Sequence, residues 1–335
     1  MDFVLAPQGG GVLAVADPGR TYELWLAGPS AAPQLAGDWT ANALTGGAFL
    51  AQGDAWSATG DAFLIRDTPV DDRGRQQGGH ASEIQVIAPG GPERTIASGS
   101  KAIWTPDGEI LFITDETVQR VDAEGAPHPF PTPITADAVY PAPFGGLIAV
   151  EANSALSVVY RNGTVVADLG SGRFRDLGPT DPWAHDGSIL VFVEGHGDTR
   201  NLRIWSVVSE EVETSIDGII EFTLSPDARH IAARTRQPRR ILIVDIPNDR
   251  PMNIAGPSFG RMTWSPNGET LIVSKSRLSA SVDDGLLRGG QVRAYNLTGR
   301  LLWAVRTRMS GCGLKTAWSP DGRWLAIGDQ NLGCT

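Results

Sequence analysis

The sequence predicts an all-β fold, a β-propeller of four-stranded antiparallel blades. Three observations predict it: a hairpin unit that recurs eight times, a second pair of strands after most copies, and the lack of any sustained helical period. Gly 40 and Pro 23 in 335 residues suit a chain that reverses direction every few residues.

The hairpin unit is clearest in "WSPDGRWLAIGD" from Trp318. Ser319, Pro320, Asp321 and Gly322 meet the positional needs of a type I turn: a first residue that bonds locally, a preset φ, a tolerant third position and a last one without steric cost. Apolar residues flank the turn on both sides, which marks a hairpin. Related units read "LAPQGGGVLAVAD" from Leu5, "WSATGDAFLIRD" from Trp56, "WTPDGEILFITD" from Trp104 and "YPAPFGGLIAVE" from Tyr140. The series goes on with "WAHDGSILVFVE" from Trp183, "LSPDARHIAART" from Leu224 and "WSPNGETLIVSK" from Trp264. Copies start 36 to 54 residues apart, the range of one propeller blade.

Further strand pairs follow the hairpins: "YELWLAG" with "PQLAG", "EIQVIAP" with "ERTIAS", "LSVVYRNG" with "VVADLG", "LRIWSVV" with "VETSI", "ILIVDIP" with "MNIAG" and "QVRAYNLTG" with "LLWAVRT". The third unit is thinner, with only "VQRVDAEG" and "HPFPT". Lengths near five and alternation of apolar with polar residues support antiparallel sheet. The expected blades are 3–40, 48–99, 100–132, 136–170, 174–217, 218–256 and 258–313, with a partial one at 314–335. All belong to a single domain, 1–335. Seven full blades plus a two-stranded eighth is the expected arrangement, and a seven-bladed ring with a leftover hairpin is the alternative.

The "W-S-P-D-G-x-x-L-A-x-x-x-D" unit resembles the repeat of TolB-type propellers, relatives of the tryptophan–aspartate repeat proteins. The resemblance covers nearly the whole chain and is strongest in the third, seventh and eighth copies. It implies architecture and carries no catalytic residues to transfer. It also implies a periplasmic or extracytoplasmic location. The opening "MDFVLAPQGGG" shows no secretory signal, so the expectation is cytoplasmic if Met1 is the true start. No apolar run approaches the roughly 20 residues of a membrane span, so no membrane insertion is expected.

A net charge of −10 argues against a nucleic-acid-binding surface. Residues 218–313 nevertheless hold 14 Lys and Arg against 7 Asp and Glu, a net of +7, which leaves −17 on the remainder. The two cysteines, Cys312 and Cys334, bracket the terminal hairpin. They form either a clasp across it or two free thiols.

Alternation of strand direction places the hairpin turns on one face and the second-to-third-strand loops on the other. That second face varies most. It carries "DTPVDDRGRQQGGHAS" in blade 2, "EGHGDTRN" in blade 5, "RTRQPRR" in blade 6 and "SRLSASVDDGLLRGG" in blade 7. Three constellations compete there. Arg234, Arg236, Arg239, Arg240, Lys275, Arg277 and Arg288 form a basic sector able to grip carboxylates or phosphates; the bland reading is a solvated face neutralised by nearby acids. The carboxylates at second-strand ends, Asp17, Asp67, Asp115, Glu151, Glu194 and Asp329, could hold a cation; a local bond from each to the backbone fits the shared register better. His80 and His196 lie on the variable loops as weak candidates for metal or acid–base chemistry.

Neither H-E-x-x-H nor the phosphate-binding G-x-x-x-x-G-K-[ST] is found, and nothing in the sequence calls for a cofactor. The expected function is therefore a non-catalytic binding module that engages a protein or an anionic ligand through blades 2, 5, 6 and 7. The alternative is a propeller hydrolase or lyase, or the propeller part of a longer serine peptidase.

Overall fold

Each repeat is organised by its turn. Ser265 opens one copy. Its Oγ donates to Asn267 Oδ1 at 2.6 Å and accepts the main-chain N–H of Thr270 at 2.9 Å. Ser319, Asp321 and Trp324 repeat this arrangement at 2.6 and 2.9 Å, and Thr105 with Asp107 and Glu109 repeats it at 2.6 and 3.0 Å. The backbone closes each turn, with Gly268 N–H on Ser265 O at 2.9 Å and Gly322 N–H on Ser319 O at 2.9 Å. Gly268 needs a φ of +70°, which glycine reaches at no steric cost; Ala228, in the same place in "SPDAR", holds +58°. Serine, aspartate and glycine thus recur because one small cage of hydrogen bonds requires them.

The computed structural model describes residues 2–5, 12–16, 21–27, 34–40, 57, 59, 62–67, 82–87, 93–174, 182–195, 200–254, 260–275, 290–307, 314–319 and 321–329. Among them, regular structure is all strand apart from a 3-10 turn at Ile246–Asn248. The chain divides into two compact units, Met1–Ser171 and Gly172–Thr335.

In the first unit, β1 (Asp2–Leu5), β2 (Val12–Ala16), β3 (Thr21–Ala27) and β4 (Gln34–Thr40) form one antiparallel sheet in chain order. β5 (Phe63–Asp67) and β6 (Ser82–Ile87) follow. β7 (Glu93–Trp104) then serves two repeats. Its first half pairs with β6 and its second with β8 (Ile110–Thr114), which pairs in turn with β9 (Thr117–Val121). The blade boundary expected at 99/100 therefore runs through a continuous strand, which changes repeat near Lys101 at φ +55° and a register shift. The thin outer strand of the third repeat is reduced to a bridge, Val121 with Pro127, because Pro127, Pro129 and Pro131 have no N–H for a ladder. β10 (Ala138–Pro141), β11 (Leu147–Ala152), β12 (Ala155–Tyr160) and β13 (Val165–Ser171) complete the unit.

The second unit starts with β14 (Ile189–Glu194), β15 (Asn201–Ser206) and β16 (Val212–Asp217). Among the described residues, the first strand expected in this repeat is present as bridges from Arg173 to Val193 and from Trp183 to Leu190. Two four-stranded sheets follow: β17 (Ile219–Leu224), β18 (His230–Thr235), β19 (Arg240–Asp245) and β20 (Arg250–Ile254), then β21 (Arg261–Trp264), β22 (Thr270–Lys275), β23 (Gly290–Asn296) and β24 (Leu301–Thr307). β25 (Leu314–Trp318) and β26 (Leu325–Asp329) form a two-stranded sheet.

The core lies between successive sheets. Leu202, Ile204 and Ile216 of one sheet meet Ile231, Ala233 and Leu242 of the next, and Ile241, Ile243 and Ile254 meet Trp264, Leu271 and Tyr295 in turn. Second strands are therefore buried on both faces. This is why β14 reads as an unbroken apolar run where a half-buried strand would alternate. Each of the leucine and isoleucine side chains contributes about 1.5–3 kcal/mol by leaving water. The leading aromatic residues Trp104, Tyr140, Trp183 and Trp264 are all buried, and Trp264 lies in the second of these seams.

Candidate functional site

β18 ends at Thr235 and β19 begins at Arg240, so Arg236 to Arg239 form a tight connection. Two bonds brace it. Thr235 Oγ1 donates to the carbonyl of Pro238 at 2.6 Å, and the Arg236 N–H donates to the carbonyl of Gly218 at 2.8 Å. Residues 236 to 240 are all exposed, and three of the five are arginine. Among the described residues neither Arg239 nor Arg240 makes an ion pair. The turn therefore holds the Arg239 and Arg240 guanidinium groups in water on a fixed backbone. Such groups retain their donors for a carboxylate-bearing partner.

Arg234 lies elsewhere. Its side chain is largely buried, pairs with Glu221 across β17 and β18, and donates to the carbonyl of Gly260 at 2.8 Å. Burial, and then the charge of Arg239, lower its pKa from the ordinary guanidinium value. Its visible bonds are internal, linking one sheet to the start of the next. Lys275, at the end of β22, is half-buried and engaged in an interaction of its own. Arg277, Arg288, His80 and His196 lie outside the described residues, as do Asp17, Cys312 and Cys334.

Beside the arginine turn runs a cleft of about 290 Å³ along β19, floored by Leu242 and Val244 and edged by Gln237, Arg240, Asp217 and Asp249. Sequence reasoning missed it, because its two carboxylates come from different sheets. The one available signal was the turn at Asn248 and Asp249 that follows Pro247.

Of the strand-end carboxylates, the side chains of Asp115, Glu151 and Glu194 are described. Glu194 accepts from Arg203 Nε at 2.8 Å and from its Nη2 at 2.7 Å, a charge pair across neighbouring strands. Asp115 is exposed in a turn at φ +50°, and Glu151 is half-buried with a contact of its own. The side chains of Asp67 and Asp329 fall outside the described set. Among the described residues, no three His, Cys, Asp or Glu side chains gather as a metal site would require.

In the first unit a charged network joins the hairpin turn of the third repeat to the outer turn of the fourth. Arg161 pairs with Asp107 and stands 3.7 Å from Glu109. Glu109 also faces Arg120 at 3.6 Å and His128 at 3.8 Å. The Arg161 hydrogen bond holds the Asp107 carboxyl at about 2, well below its usual range, and the Thr105 hydroxyl adds to this against the opposing effect of burial.

A G-x-S-x-G spacing does occur, at residues 256–260, although nothing else in the sequence marks a hydrolase. A nucleophile elbow needs a strand followed by a helix; these residues stand between β20 and β21, strand followed by strand. Residues 255–259 are outside the described set.

No family model and no curated protein sequence matches the chain. Solved structures do. The C-terminal WD40 domain of Sif2 is similar over 98% of this chain and 92% of its own, at 11% identity and a TM-score of 0.57. The fold is a β-propeller. A dipeptidyl-aminopeptidase-IV-like protein of Bacteroides ovatus also matches the propeller, at 13% identity and a TM-score of 0.55, over 89% of this chain and 51% of that one. TolB from Acinetobacter baumannii matches at 15% identity and a TM-score of 0.36, over 88% of this chain and 78% of its own. In propeller terms, the arginine turn is the loop between the second and third strands of the sixth blade. No helix among the described residues is long and apolar enough to cross a membrane.

Proposed function

We propose that residues 1–335 form a single propeller domain that acts as a non-catalytic scaffold and captures a protein partner through the second-to-third-strand loops of blades 2, 5, 6 and 7. The observation that carries this reading is the braced turn of blade 6, where Arg239 and Arg240 are exposed and make no ion pair among the described residues. A net of +7 over residues 218–313 in a chain of −10 supports an acidic partner, drawn to this sector and repelled elsewhere. The partner is a protein surface in preference to a small anion, because Asp217 and Asp249 place negative charge in the adjoining cleft. An acidic surface can straddle the arginines without entering it.

The test is affinity capture with the wild type and with the triple variant R236E/R239E/R240E, followed by direct binding of the captured protein. Loss of that protein from the variant supports the reading, and equal capture by both rejects it. All three positions are exposed, so the substitutions leave the fold intact.

A further inference from the structure

β19 reads "RILIVD", so alternation puts Arg240, Leu242 and Val244 on one face and Ile241 and Ile243 on the other. Ile241 and Ile243 pack towards the next blade, with Trp264 and Leu271. Leu242 and Val244 turn towards blade 5, where Ile216 of β16 meets them. These three side chains, 5%, 2% and 7% exposed, make a dry floor for the cleft of about 290 Å³.

Charge is ordered along this floor. Asp217 ends β16 beside Gly218, whose carbonyl accepts the Arg236 N–H at 2.8 Å, so Asp217 stands at the Arg240 end. Asp249 stands at the other end. The residues after it, Arg250 and Pro251, pair with Asp245 and Val244, and its own N–H donates to Ile246 O at 3.2 Å. The register of Arg240 and that of Val244 are about 13 Å apart along the strand, so one ammonium group cannot serve both carboxylates.

Among the described residues, Arg240, Asp217 and Asp249 make no ion pair. The Asp217 carboxylate takes a hydrogen bond from the Ser215 hydroxyl at 3.5 Å, and that of Asp249 takes none within the described set. One end of the cleft therefore offers a cation and an anion, and the far end a lone anion, across a floor suited to hydrocarbon. A ligand that answers all three charges carries a carboxylate and an ammonium at one end, an aliphatic stem, and a second cation beyond it. That is the constitution of a basic α-amino acid.

We propose that this cleft is a binding site for a free α-amino acid with a cationic side chain, lysine or arginine. The α-carboxylate meets Arg240, the α-ammonium meets Asp217, the methylenes lie on Leu242 and Val244, and the side-chain cation meets Asp249. The three protein charges sum to −1 and the ligand carries +1, so the complex is neutral. A volume of about 290 Å³ stands at the small end of ligand clefts, roughly 300–1,000 Å³, and suits one residue better than a long peptide.

Calorimetric titration of the full chain with L-lysine and L-arginine tests this, with two further probes. L-Norleucine keeps the head group and stem but lacks the terminal cation, and cadaverine keeps the two cations but lacks the carboxylate. Lysine or arginine should saturate the protein at millimolar concentration, and norleucine and cadaverine should each bind about tenfold more weakly or worse. Asp249→Asn should weaken the basic amino acid by about tenfold and leave norleucine unchanged, so that the two ligands become alike. Asp217→Asn should weaken both, because both carry the α-ammonium. Both positions are exposed, so circular dichroism and the urea midpoint should stay those of the wild type. The two variants retain Arg236, Arg239 and Arg240, so they read this site apart from partner capture by the arginine turn. Failure of both basic amino acids to saturate overturns the proposal. So does cadaverine binding as tightly as lysine, or an Asp249→Asn variant that weakens lysine and norleucine equally.

Discussion

The indole N–H of Trp264 donates to the main-chain carbonyl of Thr223 across 3.1 Å, joining the first strand of blade 7 to the first strand of blade 6. At this position the tryptophan has two tasks. Its ring fills the seam between blades, and its one polar atom satisfies a carbonyl of the neighbouring blade. Burying an indole without such a partner costs free energy.

Trp264→Phe keeps most of the ring and removes the bond, so it should destabilise the protein by about 1–2 kcal/mol. Trp264→Ala also opens a cavity and should cost about 3–5 kcal/mol. Trp318 is the internal comparison: it is half-buried, and its Nε1 has no hydrogen-bond partner among the described residues. Trp318→Phe should therefore shift the urea midpoint less than Trp264→Phe does.

Arg234 and Arg239 separate two roles within one arginine run. Arg234→Ala strands Glu221 and the Gly260 carbonyl, and should lower stability by about 1–3 kcal/mol. Arg239→Ala removes an exposed group and should stay within about 0.5 kcal/mol of wild type, while still weakening partner capture. Chemical denaturation of both variants checks the first half and a binding assay the second.

The folded-state pKa of Asp107 is depressed, to about 2 against an ordinary value of 3.8. The unfolded chain therefore binds a proton at higher pH than the folded one does. The stabilisation from the Arg161 pair is complete above the unfolded value and is lost as pH falls through the folded one. Asp107→Asn should reduce stability at pH 6 and flatten the decline between about pH 4 and pH 2. Urea midpoints of both proteins across that window measure it.

Hydrogen exchange should read the ladder phase of β26 directly. Amides of Ala326 and Gly328 face β25 and should be protected, whereas those of Leu325 and Ile327 face away from it, where no described strand pairs with them, and should exchange quickly. Uniform protection along the strand would contradict this phase.

Much of the fold was legible because its punctuation is chemical. Of the carboxylates expected at second-strand ends, Asp67, Glu194 and Asp329 are the last residues of β5, β14 and β26, while β8 stops at Thr114, one short of Asp115, and β11 runs one past Glu151 to Ala152. Where a serine or threonine opens the turn, as at Thr105, Ser225, Ser265 and Ser319, the cage fixes the register, and its side chains are visible in the sequence. What was not legible depended on pairing across repeats. Arg234 reads like its neighbours Arg236 and Arg239, yet Glu221 and Gly260 draw it inward. The continuity of β7 was hidden because a strand that changes partner carries no turn residue at the change. The bond from Arg161 to Asp107 joins residues 54 positions apart, and no local pattern announces it.

The capture of an acidic partner by Arg236, Arg239 and Arg240 is tested most directly by the salt dependence of its affinity. Dissociation constants for the captured protein, measured from low to physiological ionic strength, should rise steeply for the wild type, because exposed charges are screened over about 8–10 Å. For R236E/R239E/R240E the affinity should be lower and its salt dependence nearly flat. Parallel salt curves of equal affinity for the two proteins would contradict the account.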